Sequence, residues 1–368
     1  MCLNKQLNNM KLIRIIDRFV KQLFREIEIF RHHIGFYLVD QETVSKVKKL
    51  PKLTAHEKKC IKKTWANLSI NYLDYTWSRI WKMEHGFSPY FIGTMWTWSI
   101  LEKINPYEQV VSLQNKALCD KYLPGIPFPK VFVRSIEGIL YDKDMQPIDI
   151  DDACNLLANT HGFIVKPSID TLCGNGVIKV TKNNRTTEEY CKSILESLRQ
   201  SGSNFIAQEL LCQHPDIARL NPTSINSCRV TTIYLNGKMS YSVVLKVGKK
   251  GSYKDNWNSS YVIGVDQDGN LKEGYDNYLN KVQQTDNGIA LSTVQLPHFK
   301  EMVDSVQNWH QLYFPQCGIV GWDVFIDCNN NVSVIEVNLT CPGIVAEQLA
   351  SGLFLEPYVN DICQKLKK

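Results

Sequence analysis

Nothing in the 368 residues approaches the roughly 18 unbroken apolar positions of a membrane-spanning helix, which argues against an integral helical membrane protein. The opening MCLNKQLNNMKLIRIIDRF lacks the continuous apolar core and the small-residue cleavage site of a secretory signal. The 12 cysteines include no CxxC pair and no Cys/His cluster at zinc spacing, so no zinc site is expected. A disulfide framework belongs to short secreted chains, and scattered cysteines in a chain of this length read as reduced thiols in a cytoplasm. Neither a GxxxxGK[ST] loop nor a GxGxxG turn occurs, which disfavours P-loop and Rossmann folds. There is no internal repeat or low-complexity tract, and no nucleic-acid-binding motif accompanies the basic residues. Apolar matter, by contrast, is plentiful. Hydrophobic residues make up 44% of the chain against 21% charged, enough to offset the ordering entropy of about two to three domains.

The net charge of +5 is unevenly spread. Residues 1–70 hold 15 Lys/Arg and 6 Asp/Glu, or +9, which leaves −4 for the remainder. Such an excess suits an acidic partner, a membrane surface or a polyanionic glycan, although a solvated helical face is its commoner meaning. Residues 11–34 predict an amphipathic helix, with Leu12, Ile16, Phe19, Leu23, Ile27 and Phe30 on one stripe. A helix of this kind is more often docked on the protein than laid on a bilayer, so peripheral membrane contact is the secondary expectation. Thr54-Ala-His-Glu57 resembles a capping box opening a helix through Trp65. Trp65, Trp77, Trp81, Trp96 and Trp98 read as core rather than as a ligand platform. Beyond Leu113 the pattern turns to short strands, over 130–134, 162–167, 177–180, 205–211, 229–234, 239–246, 319–326 and 332–338, with a helix over 186–199. This predicts an α+β fold with mainly antiparallel sheet, not a run of βαβ units.

Three features carry chemistry. Asp323 lies in one strand of the last hairpin, and Glu336 and Asn338 lie two apart on its partner, hence on one face. Two carboxylates and an amide oxygen are hard ligands suited to Mg²⁺ shared with nucleotide phosphates. Acids on apolar strands are costly to bury unpaired, which weakens the alternative of a solvated strand face. Lys166 ends an apolar strand ahead of the Gly-containing loop 168–176, an arrangement that can hold β/γ-phosphates. Gln208-Glu-Leu-Leu211 is a strand exit whose backbone is available to an adenine, though most such exits are merely structural.

In this order and spacing the features resemble the ATP-grasp superfamily. The matching pieces are Lys116 ahead of Gly125-Ile-Pro-Phe-Pro129, Ile164-Val-Lys-Pro-Ser168 with its loop, Gln208-Glu-Leu-Leu211, and Gly321-Trp-Asp323 with Val334-Ile-Glu-Val-Asn338. Within it the chain looks most like the sugar-transfer-associated ATP-grasp proteins, relatives of the teichuronopeptide-biosynthesis type and similar to α-L-glutamate ligase-like proteins. His214-Pro215, Leu220-Asn-Pro-Thr-Ser-Ile-Asn226 leading to Arg229, Asp255-Asn256 and Val320-Gly-Trp-Asp323 carry that likeness, which spans about residues 110–350.

The resemblance implies two α+β subdomains gripping ATP, at 111–205 and 206–368, after a helical, basic region at 1–110. It implies that Lys116 and Lys166 hold the phosphates and that the loop from Ser168 through Gly174 to Gly176 closes over them. Gln208 and Glu209, with the backbone of Leu210 and Leu211, would recognise adenosine, and Asp323, Glu336 and Asn338 would hold Mg²⁺. Arg229 and Lys246 would stabilise the transferring phosphoryl group. D-alanine ligase-like members carry an Arg two residues before the metal Asp; here that residue is Gly321, and Arg229 is the expected substitute. The implied reaction is ATP-dependent carboxylate–amine ligation through an acyl phosphate, in a cytoplasmic enzyme, with membrane-peripheral contact the secondary expectation. Its substrates would be small-molecule or glycan-linked, an amino acid joined to a sugar acid of a cell-surface polysaccharide such as a capsule. Two other readings stand beside it: a kinase acting on a hydroxyl, and a nucleotide-binding accessory protein of a glycan assembly complex.

Overall fold

The computed structural model describes residues 50–66, 75–93, 97, 100, 101, 103–169, 176–181, 188–200, 204–252 and 259–367, together with residue 20. The expected helix over 11–34 therefore lies outside the described residues, save for that one position. The chain forms two compact units, 1–100 and 101–368.

In the first unit, helix α1 (Ala55–Thr64) opens with the expected capping box: Glu57 N donates to Thr54 Oγ1 at 3.2 Å, and Thr54 N donates to Glu57 Oε2 at 2.7 Å. Helix α2 (Thr76–His85) follows. Trp65, Trp77 and Trp81 are buried, as expected of core residues; Trp96 and Trp98 lie outside the described residues.

The second unit contains two antiparallel sheets. The first comprises β1 (Val131–Ile136), β2 (Ile139–Tyr141), β3 (Pro147–Ile148), β4 (Gly162–Pro167), β5 (Ile178–Thr181) and β6 (Phe205–Glu209), in the order β3-β2-β1-β6-β4-β5. Helix α3 (Ile150–Ala158), capped by the Asp149 side chain on Asp152 N, and helix α4 (Glu188–Gln200) pack on it. Ala153, Leu157, Cys191 and Leu195 join Val133, Phe163, Val165 and Phe205 in one core.

The second sheet runs β11-β10-β9-β8-β7-β12-β13. Its strands are β7 (Cys228–Leu235), β8 (Lys238–Gly248), β9 (Ser260–Val265), β10 (Leu271–Tyr275), β11 (Lys281–Val282), β12 (Ile319–Ile326) and β13 (Val332–Asn338). Helix α5 (Phe299–Tyr313) buries Met302, Val303 and Val306 against Val230, Leu245, Val320 and Trp322 on one face. Helix α6 (Val345–Ser351) covers part of the other face, where Gly264 lets the Ala350 carbonyl approach too closely for any Cβ. Helix α7 (Val359–Leu366) ends the unit. The chain passes from β6 to the second sheet through residues 210–214, so the expected dividing line at 205/206 falls at the start of a strand of the first sheet.

A buried polar chain ties α5 to the sheet. Trp322 Nε1 donates to Thr232 Oγ1 at 2.9 Å, Thr232 Oγ1 lies 2.7 Å from His310 Nδ1, and His310 Nε2 lies 3.1 Å from the Cys317 carbonyl. A carbonyl only accepts, so Nε2 carries the proton and Nδ1 accepts from Thr232. Burial lowers the His310 ring to about 4 and keeps it neutral.

Candidate active site

Cross-strand register assembles the first group of charges. Asp323 on β12 lies across from Glu336 on β13 and, on its other side, from Arg229 on β7. Arg229 lies across from Val244 on β8; Lys246 is two residues further along and so shares its face. A bulge after Asp323 makes Ile335 the extra residue, which leaves Glu336 and Asn338 on the Asp323 face.

Arg229 forks Asp323, with Nε to Oδ1 at 2.8 Å and Nη2 to Oδ2 at 2.9 Å, and Lys246 Nζ donates to Oδ1 at 2.8 Å. Burial alone would raise the Asp323 carboxyl, but Arg229 and Lys246 hold it well below the usual carboxylate range. Burial likewise works against charge on Arg229, and Asp323 overrides it. Arg229 Nη1 donates to the Pro342 carbonyl at 2.6 Å and lies 3.7 Å from the Glu347 carboxylate. Asn338 Nδ2 donates to Asp323 Oδ2 at 3.3 Å.

The same region shows why position 321 carries no arginine. A Cβ on Gly321 would collide with the backbone of Pro342, whose Cα would stand 2.8 Å away. No side chain fits there, and the cation beside Asp323 comes from β7 instead.

A second group centres on Lys116, which follows the 3₁₀ turn Val111–Gln114. Its Nζ lies 2.9 Å from Glu336 Oε1. Gln114 Oε1 accepts from Leu339 N at 2.7 Å and Thr340 N at 3.0 Å, pinning this segment to the end of β13. Arg134, wholly buried on β1, donates to the Ala117 carbonyl and forks Asp120 at 2.8 and 2.9 Å, fixing the turn after Lys116. Lys116 N donates to the Ser168 carbonyl at 3.1 Å, beside the end of β4.

Lys166 on β4 is buried and forms no ion pair among the described residues. Burial lowers its ammonium to about 8, with Glu336 opposing the shift and Lys116 adding to it. The buried Ser168 hydroxyl has no hydrogen-bond partner among the described residues. Lys116, Lys166, Gln208, Glu336, Phe128 and Ile335 line a slot of about 10 Å³, room for no more than one water.

Of the remaining expected contacts among the described residues, only Gln208 lines this slot. Gln208 Nε2 donates to the Pro129 carbonyl at 3.3 Å. The Glu209 carboxylate accepts from Lys130 N at 2.7 Å, so the group expected to meet adenosine is engaged with the start of β1. Leu210 and Leu211 follow β6, and their backbone groups make no hydrogen bond among the described residues. Gly176 has φ +75°, and the Pro167 ring would stand 2.8 Å from a Cβ there. Gly174, with the rest of 170–175, and Asp255 and Asn256 lie outside the described residues.

No cluster of three or more His, Cys, Asp or Glu side chains is placed to hold a metal among the described residues. Asp323, Glu336 and Asn338 are a different set, two carboxylates and an amide on paired strands, and their oxygens suit a hard cation such as Mg²⁺. Each carboxylate already has a lysine ammonium at 2.8 or 2.9 Å, so positive charge belongs at both positions. The donor chemistry fits the ion.

Sequence reasoning missed Gln114, Arg134 and Glu347. Arg134 carries a signal, a charge inside the apolar run Val131-Phe-Val-Arg-Ser-Ile136; Gln114, in a polar turn, carries none.

A family model described as sugar-transfer associated ATP-grasp matches residues 98–364. No curated protein matches the chain. Among solved structures, a D-cycloserine synthetase is 14% identical with a TM-score of 0.44, over 84% of this chain and 95% of that one. A D-alanyl-alanine synthetase A from Vibrio cholerae is 13% identical with a TM-score of 0.41, over 68% of this chain and 66% of that one. An L-amino acid ligase from Bacillus licheniformis is 14% identical with a TM-score of 0.34, over 74% of this chain and 50% of that one.

Proposed function

The chain belongs to the sugar-transfer associated ATP-grasp family and has the ATP-grasp fold, and from that premise we propose that it is an ATP- and Mg²⁺-dependent carboxylate–amine ligase. The observation that carries this reading is the state of the site's acids. Asp323 is forked by Arg229 and bonded by Lys246, and Glu336 is paired with Lys116. Asp323, held well below the usual carboxylate range, is a poor base, and the Glu336 carboxylate is taken up by Lys116. A hydroxyl nucleophile needs a base to take its proton, whereas a substrate carboxylate is already anionic and needs none. The site is thus richer in fixed cations than in free bases, which favours acyl phosphate formation over phosphorylation of a hydroxyl.

In this account Lys116 and Lys166 grip the phosphates of ATP, and the backbone of Leu210 and Leu211 meets the adenine. The substrate carboxylate attacks the γ-phosphorus, ADP leaves, and an amine then attacks the acyl carbon, releasing phosphate and one proton. Arg229 and Lys246 stabilise negative charge on the phosphoryl oxygens in both steps. Asp323, Glu336 and Asn338 would hold Mg²⁺, which supplies charge neutralisation at the phosphates. Loop 168–176 excludes water, because an acyl phosphate hydrolyses.

The substrate pair we propose is an amino acid and a sugar acid of a cell-surface polysaccharide, in keeping with the family's description and with the +9 excess of residues 1–70, which suits an anionic glycan. The test is ADP release from MgATP against paired panels of amino acids and sugar acids, with mass detection of the amide and Glu336→Gln as control. Release that requires one carboxylate–amine pair is the expected result. Release with a hydroxyl compound alone would establish a kinase, and ATP binding without release under every pairing would favour an accessory protein.

A further inference from the structure

Where the chain crosses from β6 to the second sheet, Gln213 bridges Asp327 in the turn between β12 and β13. Antiparallel register then sets Cys212 directly against Cys328. Cys328 N donates to the Cys212 carbonyl at 2.9 Å, and His214 N to the Ile326 carbonyl at 2.9 Å continues the ladder. Residues opposed across such a hydrogen-bonded rung have Cα atoms about 5.5 Å apart, within the roughly 4.4–6.8 Å that a disulfide spans. Both cysteines are exposed. The neighbouring Cys328 thiol, ahead of partial burial, raises the Cys212 thiol. By contrast, burial pushes the Cys119, Cys228 and Cys317 thiols up to about 12, which leaves them inert to mild oxidants.

We propose that Cys212 and Cys328 are a modification site, closing to a reversible disulfide that fastens the crossover segment to the β12–β13 turn. With hydrogen peroxide, the thiolate of one cysteine attacks a peroxide oxygen, giving a sulfenic acid and hydroxide. The other thiol then attacks the sulfenic sulfur, forming the S–S bond and releasing water. Two thiols lose two electrons and two protons, and the peroxide becomes two waters. A low-molecular-weight disulfide accomplishes the same by two exchange steps and leaves as two thiols. The bond lies one residue beyond Leu211, so it tethers the segment placed against the adenine in the proposed function and slows nucleotide release. That consequence rests on the proposed nucleotide site; the bond itself does not.

The test uses the full-length reduced protein, treated with hydrogen peroxide. Free thiols are alkylated before unfolding, and the digest is read by mass spectrometry. The expected product is one peptide pair joined through Cys212 and Cys328, two hydrogens lighter than its parts and lost on reduction. Dissociation of a fluorescent ATP analogue should slow several-fold in the oxidised protein and recover with reductant. Cys212→Ser, with unchanged turnover in the reduced state, should give no such pair and leave Cys328 as a sulfenic acid that dimedone traps. Pairing of other cysteines, or separate over-oxidation of Cys212 and Cys328 without a cross-link, would overturn the proposal. A cross-link that forms without changing the dissociation rate would overturn its effect on the crossover while leaving the nucleotide site itself untouched.

Discussion

Asp323 and Lys166 are both buried charges in the same compact unit, yet their surroundings differ in kind. Asp323 has a guanidinium and an ammonium within 2.9 Å and an amide at 3.3 Å. Lys166 has Glu336 only as a more distant neighbour, with Lys116 working against it. The first group is organised before any ligand arrives, and its charges stabilise one another. The second holds a cation that the fold keeps poorly solvated and unpaired, which a polyanion would complete. In the proposed mechanism, the preorganised charge would serve the reacting phosphoryl group and the unsatisfied charge would serve substrate capture.

Removing a member of each group should expose the difference. Arg229→Met leaves Asp323 with Lys246 as its one bonded cation, so turnover should fall by about a thousandfold or more. Stability should fall by about 3–5 kcal/mol, the usual cost of breaking a buried pair. Lys166→Met should reduce turnover by about a hundredfold and yet raise stability near pH 7, by up to about 3 kcal/mol. The sign follows from its lowered folded-state value: the penalty is present in full below about pH 8 and fades as the pH rises toward the unfolded value of 10.5. Thermal unfolding of both variants at pH 7, beside ADP release, checks the pair. Equal destabilisation by both would erase the distinction.

A smaller effect sharpens it. Phosphates favour protonated Lys166, so ATP affinity should fall about tenfold between pH 7 and pH 9 as the group titrates near 8. Calorimetric titration should show that slope in the wild type and lose it in Lys166→Met. An identical slope in both would assign the titration to another group.

Much of this site was legible before the structure. The hairpin read at 319–326 and 332–338 has those bounds in β12 and β13, and alternation placed Glu336 and Asn338 together. The resemblance implies Arg229 and Lys246 at the phosphoryl group, but the convergence of both on Asp323 is not legible in the sequence. Those residues lie 94 and 77 positions away, and only the pairing of β12, β7 and β8 joins them. The strand read to 211 ends at Glu209 because that carboxylate turns back to Lys130 N, a partner 79 residues distant. β9, β10 and β11 were not assigned: Leu271-Lys-Glu-Gly-Tyr275 is polar and interrupted by glycine, and its strand character comes from the neighbour it pairs with. Helix α5 was also unassigned, and its start carries no capping signal, since His298 sits in the left-handed region at φ 51° without a side-chain cap.

The most direct test of ligation through an acyl phosphate follows the carboxylate oxygen. The carboxylate that supports turnover is supplied with both oxygens as ¹⁸O, together with its amine and MgATP, and the released phosphate is analysed by mass. Attack on the γ-phosphorus predicts one ¹⁸O in each phosphate, with ADP as the other nucleotide product. Phosphate without label, or AMP in place of ADP, would contradict the account.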